Sequence, residues 1–128
     1  MKSVSVKTNQ EKEFIEITKE VQKQIPENFE GAVLVSTSHT TAAITINENA
    51  DPDVQSDMIK KFKEISSDSR YKHFEGNSDS HVLSSLVGSS EIVPINEGEL
   101  VLGRWQGIYF CEFDGPRERK VNLTFLRT

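Results

Sequence analysis

Cysteine is nearly absent: Cys111 is the only one in 128 residues, so no internal disulfide is possible. A chain without disulfides suits a reducing compartment, and a cytoplasmic location is expected. Positive charge is also in short supply, with 15 Lys and Arg against 20 Asp and Glu and a net charge of -5. Without a basic excess, counterion release on a nucleic-acid backbone is weak, so neither nucleic acid nor an anionic membrane is expected as a partner. No apolar run approaches the ~20 residues that span a bilayer. The opening MKSVSVKTNQEKE lacks the apolar stretch and cleavage site of a secretion signal. Four prolines and seven glycines are scattered singly, so neither a linker nor a repeat is indicated. One domain over residues 1–128 is expected.

The pattern that remains is that of an α+β protein. Residues 2–8 alternate Val with polar side chains, as a half-buried strand does. Residues 12–17 read as a second strand after a turn at Asn9. Val21 and Ile25 suggest a short helix from Thr18, ended by Pro26 and Asn28. Residues 31–37 (GAVLVST) are apolar on both faces and read as a buried central strand. Residues 40–47 alternate, with Ala42, Ile44 and Ile46 on one face. His39, Thr41, Ala43, Thr45 and Asn47 on the other form a face polar enough to line a site.

Residues 51–65 carry the strongest helix signal. Asn49 or Asp51 caps it, Pro52 suits its first turn, and Val54, Met58, Phe62 and Ile65 form the buried stripe. A loop is expected over 66–78. A third, short helix is expected over 79–87, capped by Ser78 or Asp79, with an apolar stripe of Val82, Leu83, Leu86 and Val87 and closed by Gly88. Strands are expected at 91–95 and 100–102, and 107–113 with 118–126 read as a hairpin around the turn 114–117. Inserted helices among mostly antiparallel strands predict a compact α+β sheet or sandwich with two or three helices.

Three histidines, His39, His73 and His81, are the first candidates for chemistry. None forms a local metal-binding pair, and each has a plain alternative: a strand-end His39 bonded to backbone, and solvated His73 and His81. His81 lies in the first turn of its helix, about 170° from the apolar stripe, where the helix dipole favours a neutral ring. Among the carboxylates, Asp51 and Asp53 are explained by that dipole, whereas Glu48 and Asp57 are candidates to hold a cation or orient a histidine. Glu112 falls among apolar neighbours and needs a partner, for which Arg117 and Arg119 are near in sequence. Those arginines make either a structural ion pair or an anion site. Trp105 and Gln106, beside Arg104, offer a stacking surface. Cys111 reads as a buried small hydrophobe.

The runs SHTTAAITINENADPDVQSDM (38–58), YKHFEG (71–76), SHVLSSLVGSS (80–90) and LGRWQGIYFCEFDGPRERKV (102–121) resemble the YjbQ/UPF0047 family, over nearly the whole chain. The resemblance implies a homotrimer that brings the His39 face near a neighbouring subunit. It implies a divalent metal, zinc-like or magnesium, on His39, His73 and His81. It places catalytic roles on His39, Glu48, His81 and Arg117, and substrate contacts on Thr41, Trp105, Gln106 and Arg119. The activity implied is thiamine-phosphate synthesis, which joins a pyrimidine pyrophosphate to a thiazole phosphate. A hydrolase of phosphate esters or anhydrides and a non-catalytic ligand-binding trimer are the alternatives. In each case the partner is a small phosphorylated molecule or a second copy of the chain.

Overall fold

The computed structural model describes residues 1–67, 70–73 and 76–128. Of the expected loop 66–78, residues 68, 69, 74 and 75 lie outside the described ones. The elements are β1 (Lys2–Lys7), β2 (Glu13–Glu16), α1 (Thr18–Gln24), β3 (Gly31–Ser36), β4 (Ala42–Glu48), α2 (Pro52–Ser67), α3 (Ser78–Val87), β5 (Ser90–Asn96), β6 (Glu99–Leu100), β7 (Gln106–Glu112) and β8 (Glu118–Arg127). Strands β1-β8-β3-β5-β6 make one antiparallel sheet and β2-β7-β4 a second. The α+β sandwich with three inserted helices is the architecture the sequence predicts.

Three layers result. Val33, Val35, Val93, Ile95, Val121 and Leu123 of the five-stranded sheet pack on Ala42, Ile44, Ile108 and Phe110 of the three-stranded one, forming the main core. The opposite face of the three-stranded sheet is covered by α2 and α3. There Ala43, Cys111 and Phe113 meet Leu83, with Phe14, Phe62 and Val87 at the margin. A strand sandwiched on both faces has no solvent side, so residues 107–112 of β7 are all buried. Burial pushes the Cys111 thiol well above its ordinary range, which leaves it an inert space-filler.

Several expectations change. β7 and β8 do not form a hairpin: they belong to different sheets, and the chain between them, with a cis Gly115–Pro116 bond, crosses from one layer to the other. The β1–β2 segment also crosses between the sheets, antiparallel to it, and the two crossings are tied by the Thr8 N–H to the Arg117 carbonyl (3.0 Å) and the Gly115 N–H to the Glu11 carbonyl (2.9 Å). The second face of β4 is not an open polar surface, because α3 lies over it and Ser84 Oγ donates to the Ala42 carbonyl (2.7 Å). Asp51 caps α2 as expected, accepting from the Asp53 N–H (2.9 Å). Its stripe ends differently: Ile65 is 54 % exposed and Ser66 is buried. Ser66 Oγ satisfies itself on the Phe62 carbonyl (2.9 Å), so a polar residue takes the inward position.

On α3, Leu83 is buried while Val82 and Leu86 face outward, Leu86 at 62 % exposure. Neither Ser78 nor Asp79 caps α3; Asn77 precedes the helix without a side-chain cap bond, and Gly88 closes it at φ 103°. In β3, Val33 and Val35 are buried, whereas Ala32 and Leu34 are only half-buried.

Candidate functional site

The three histidines come from segments far apart in sequence. His39 stands between β3 and β4, His73 precedes α3, and His81 lies in its first turns. The fold brings them to one cleft of about 440 Å³, with Thr41, Asn77, Asp114, Arg117 and Arg119 in its walls. The His73 and His81 rings meet edge to face, 5.7 Å between centroids. His39 Nε2 accepts the Lys120 backbone N–H at 3.0 Å, which fixes its tautomer with the proton on Nδ1. Burial lowers the His39 proton affinity below its ordinary range. The positive charges of Arg119 and Arg117 act in the same direction, against Glu112.

Arg119 is the rigid base of this cleft. Its Nε donates to both Glu112 oxygens (2.8 and 3.1 Å), and Nη2 donates to Glu112 and to Thr41 Oγ1 (2.9 Å). Nη1 makes no hydrogen bond among the described residues, so one edge of the guanidinium is uncommitted. Burial raises the proton affinity of the fully buried Glu112. Hydrogen bonds from Arg119, Thr8 and the Asp114 N–H, with the Arg119 charge, outweigh it and hold the carboxyl below its ordinary range. Thr41, expected on an open strand face, is buried and serves this pair. It also lines the cleft itself.

Arg117 does not share Glu112. Its Nε and Nη2 hold the Asp114 carbonyl and carboxylate (both 2.9 Å), and its side chain is half exposed. Asn77 Nδ2 donates to the same carboxylate at 2.9 Å. Because a carboxylate only accepts, the Asn77 amide orientation is fixed, and its buried Oδ1 has no partner among the described residues. Sequence reasoning missed Asn77, Asp114 and Thr8 as supports. Only Asp114 carried a signal, in the Asp-Gly-Pro-Arg run. It missed Lys12 too: this buried lysine donates to Asp79 (2.8 Å) and to the Phe113 carbonyl (3.0 Å), pinning the start of α3 two residues before His81.

The remaining expected residues lie elsewhere in the chain. Glu48 pairs in register with Gln106 at the far end of the three-stranded sheet. The six steps from Ala42 to Glu48 along β4, at ~3.4 Å each, put that end about 20 Å from the histidine cleft. Gln106 Oε1 accepts the Gly103 N–H (2.6 Å), and Trp105, 55 % exposed, is stacked by Arg104 at 4.9 Å. Within one chain, Glu48, Trp105 and Gln106 form a separate cluster. Asp57 is exposed on α2.

The cleft suits a zinc-like ion in kind, since imidazole nitrogens are its ordinary ligands. His73 and His81 approach each other closely enough to share one. His39 joins them only by releasing the Lys120 amide. Among the described residues, no three His, Cys, Asp or Glu side chains are grouped to hold an ion as they stand.

A family model described as UPF0047 protein YjbQ-like matches residues 2–128. UPF0047 protein YugU of Bacillus subtilis is 50 % identical, over 98 % of each chain. A UPF0047 protein of Methanocaldococcus jannaschii is 47 % identical over 94 % of this chain and 90 % of the relative. Among solved structures, an uncharacterised YjbQ/UPF0047 protein of Clostridium acetobutylicum superposes with a TM-score of 0.94. It is 47 % identical and is covered at 98 % of this chain and 100 % of the other. The conserved hypothetical protein TT1486 of Thermus thermophilus gives 0.93 at 35 % identity, over 98 % and 100 %. The chain belongs to the YjbQ/UPF0047 family.

Proposed function

We propose that the histidine–arginine cleft binds a small phosphorylated molecule and acts on it with a divalent metal. The family resemblance suggests thiamine-phosphate synthesis as the activity. One observation carries the reading: His39, His73 and His81 border the same cleft as Arg117 and Arg119. Guanidinium donors suit phosphate oxygens, and a neutral His39 is available as a proton acceptor or ligand once its amide bond is exchanged. His39, His73 and His81 would hold the ion, and imidazoles favour a zinc-like ion over magnesium. Such an ion, when bound, supplies Lewis-acid stabilisation of a departing phosphate or pyrophosphate. The chain's own part is to fix the anion at Arg119 Nη1 and Arg117. Glu112 and Asp114 keep both guanidiniums in place.

A homotrimer and a cytoplasmic location belong to the same proposal. An outward apolar strip of Leu34, Ile92 and Leu126 on the five-stranded sheet supports assembly. A neighbouring subunit would also be the means of bringing the Glu48–Trp105–Gln106 cluster to a histidine cleft. Light scattering of the purified chain reads the assembly directly.

The test of the activity mixes the pyrimidine pyrophosphate and thiazole phosphate with zinc or magnesium. Thiamine phosphate is expected as product, and its formation should be lost in the His39→Ala/His81→Ala variant. Unchanged activity in that variant removes the histidine assignment. Two other readings each have an observation in their favour. Three imidazoles are the usual set for activating water, which favours a phosphate-ester or anhydride hydrolase. The His39–Lys120 amide bond favours a non-catalytic ligand-binding protein. A phosphate-release screen separates the first, and metal analysis of freshly purified protein separates the second.

A further inference from the structure

The histidine cleft opens into a second, larger space that the proposed phosphate site does not use. It encloses about 620 Å³ between the 37–40 segment and the C-terminal half of α3. The two spaces share Ser38, His39, Thr40 and His81, so a ligand in one reaches directly into the other. Their chemistry differs. The first holds two arginines and an aspartate. The second holds no acidic side chain, lysine or arginine, and its walls beyond the shared histidines are Ser, Thr and Gly.

The hydroxyls divide into two groups. Those of Thr37, Ser38 and Ser84 are engaged by the fold: Thr37 and Ser84 donate to the Lys120 and Ala42 carbonyls (3.2 and 2.7 Å), and Ser38 Oγ accepts from Asn122 Nδ2 (3.4 Å). Those of Thr40, Ser85 and Ser89 make no hydrogen bond among the described residues. They stand on opposite walls, Thr40 on the loop and Ser85 and Ser89 at the end of α3. The helix itself polarises the pair of spaces. Its first turns, at Asn77 and His81, border the arginine cleft, where the positive end of the dipole favours an anion. Its last turn, with carbonyl oxygens, borders the hydroxyl-lined space, which favours donors. Ser85 lies one turn beyond His81, about 6 Å along the axis.

We propose that the hydroxyl-lined space is a second subsite, holding the uncharged, hydroxylated part of the ligand (a sugar or polyol) while its phosphate sits at Arg117 and Arg119. The inference rests on the phosphate site alone, not on thiamine-phosphate synthesis, whose organic halves are aromatic rings, and assigns a sugar or polyol in their place. His39 and His81, common to both spaces, then stand beside the bond joining phosphate to sugar or polyol.

The test titrates inorganic phosphate, propyl phosphate and ribose 5-phosphate into the full chain by calorimetry. Two or three added hydrogen bonds are worth about tenfold or more in affinity. Ribose 5-phosphate should therefore bind at least about tenfold tighter than propyl phosphate. Ser85→Leu, at an exposed helix position, fills the groove and should bring that ratio to about one. Thr40→Val on the opposite wall should reduce it in the same direction, independently of any folding defect in the first variant. Equal affinities for ribose 5-phosphate and propyl phosphate, or a ratio unmoved by both substitutions, overturn the subsite while leaving the phosphate site standing. Failure of all three compounds to bind overturns the phosphate reading, and the subsite with it.

Discussion

Glu112 and Arg119 form a fully buried ion pair that joins the two sheets. The carboxylate comes from β7 of the three-stranded sheet and the guanidinium from β8 of the five-stranded one. A charge pair in this position is stable because Thr8, Thr41 and the Asp114 amide meet its remaining groups, Arg119 Nη1 excepted. It replaces the hairpin connection that the sequence suggests between these strands. It also sets the floor of the histidine cleft.

Removing one partner strands the other. Glu112→Gln and Arg119→Met should each destabilise the fold by about 3–5 kcal/mol. The Glu112→Gln/Arg119→Met double variant should lose less than the sum of its single variants. Urea denaturation of the four proteins checks this. Additive losses would mean that the two groups do not act as a pair.

The same pair predicts an acid response. Glu112 titrates below its ordinary value in the folded chain, so its contribution is fully present above that value and is lost as pH falls through the lower folded one. Lys12 gives the opposite window. Burial lowers its proton affinity, but the Asp79 and Glu11 carboxylates outweigh this and raise it above 10.5. Its contribution is therefore present below 10.5 and fades as pH climbs through the folded value. Thermal midpoints across pH should show Lys12→Met losing the alkaline dependence while retaining the acid one. A Lys12→Met profile parallel to the parent's at high pH would contradict the assignment.

Gly115 sits where the chain crosses between layers. A Cβ there would collide with the Gln10 carbonyl and come within 2.8 Å of the Glu112 side chain and 2.9 Å of Thr8 Oγ1. Gly115→Ala should cost about 1–3 kcal/mol and disturb the Glu112–Arg119 pair. Denaturation measures the first effect, and the shift of the acid transition measures the second. A neutral substitution would show that the crossing has room that these contacts deny.

What could be read in the sequence was local. The α2 start follows from Asp51 and Pro52 because a cap is made within three residues. The α3 end follows from Gly88 for the same reason. Cys111 as filler and Glu112 in need of an arginine both follow from strand alternation. The β7–β8 hairpin failed because turn residues at 114–117 announce a change of direction, not which strands then pair. Ile65 failed because Ser66 bonds its own helix and turns inward in its place. The histidine cleft is assembled from three segments by tertiary packing, so spacing alone gave no sign of it, and only the family resemblance put all three in one site. Glu48 is a candidate as a carboxylate at a strand end and Trp105 and Gln106 as a stacking surface, and the resemblance gives all three a place in the site. They sit together at the opposite end of the sheet, where only an intersubunit arrangement would unite them with the cleft.

The central claim is that one cleft, walled by His39, His73, His81, Arg117 and Arg119, is the place where this chain engages phosphate. Calorimetric titration of inorganic phosphate into the parent chain and into Arg117→Ala and His81→Ala tests it most directly. One saturable site per chain, weakened about tenfold or more by each substitution, is the predicted result. Binding of equal strength in all three proteins would contradict it.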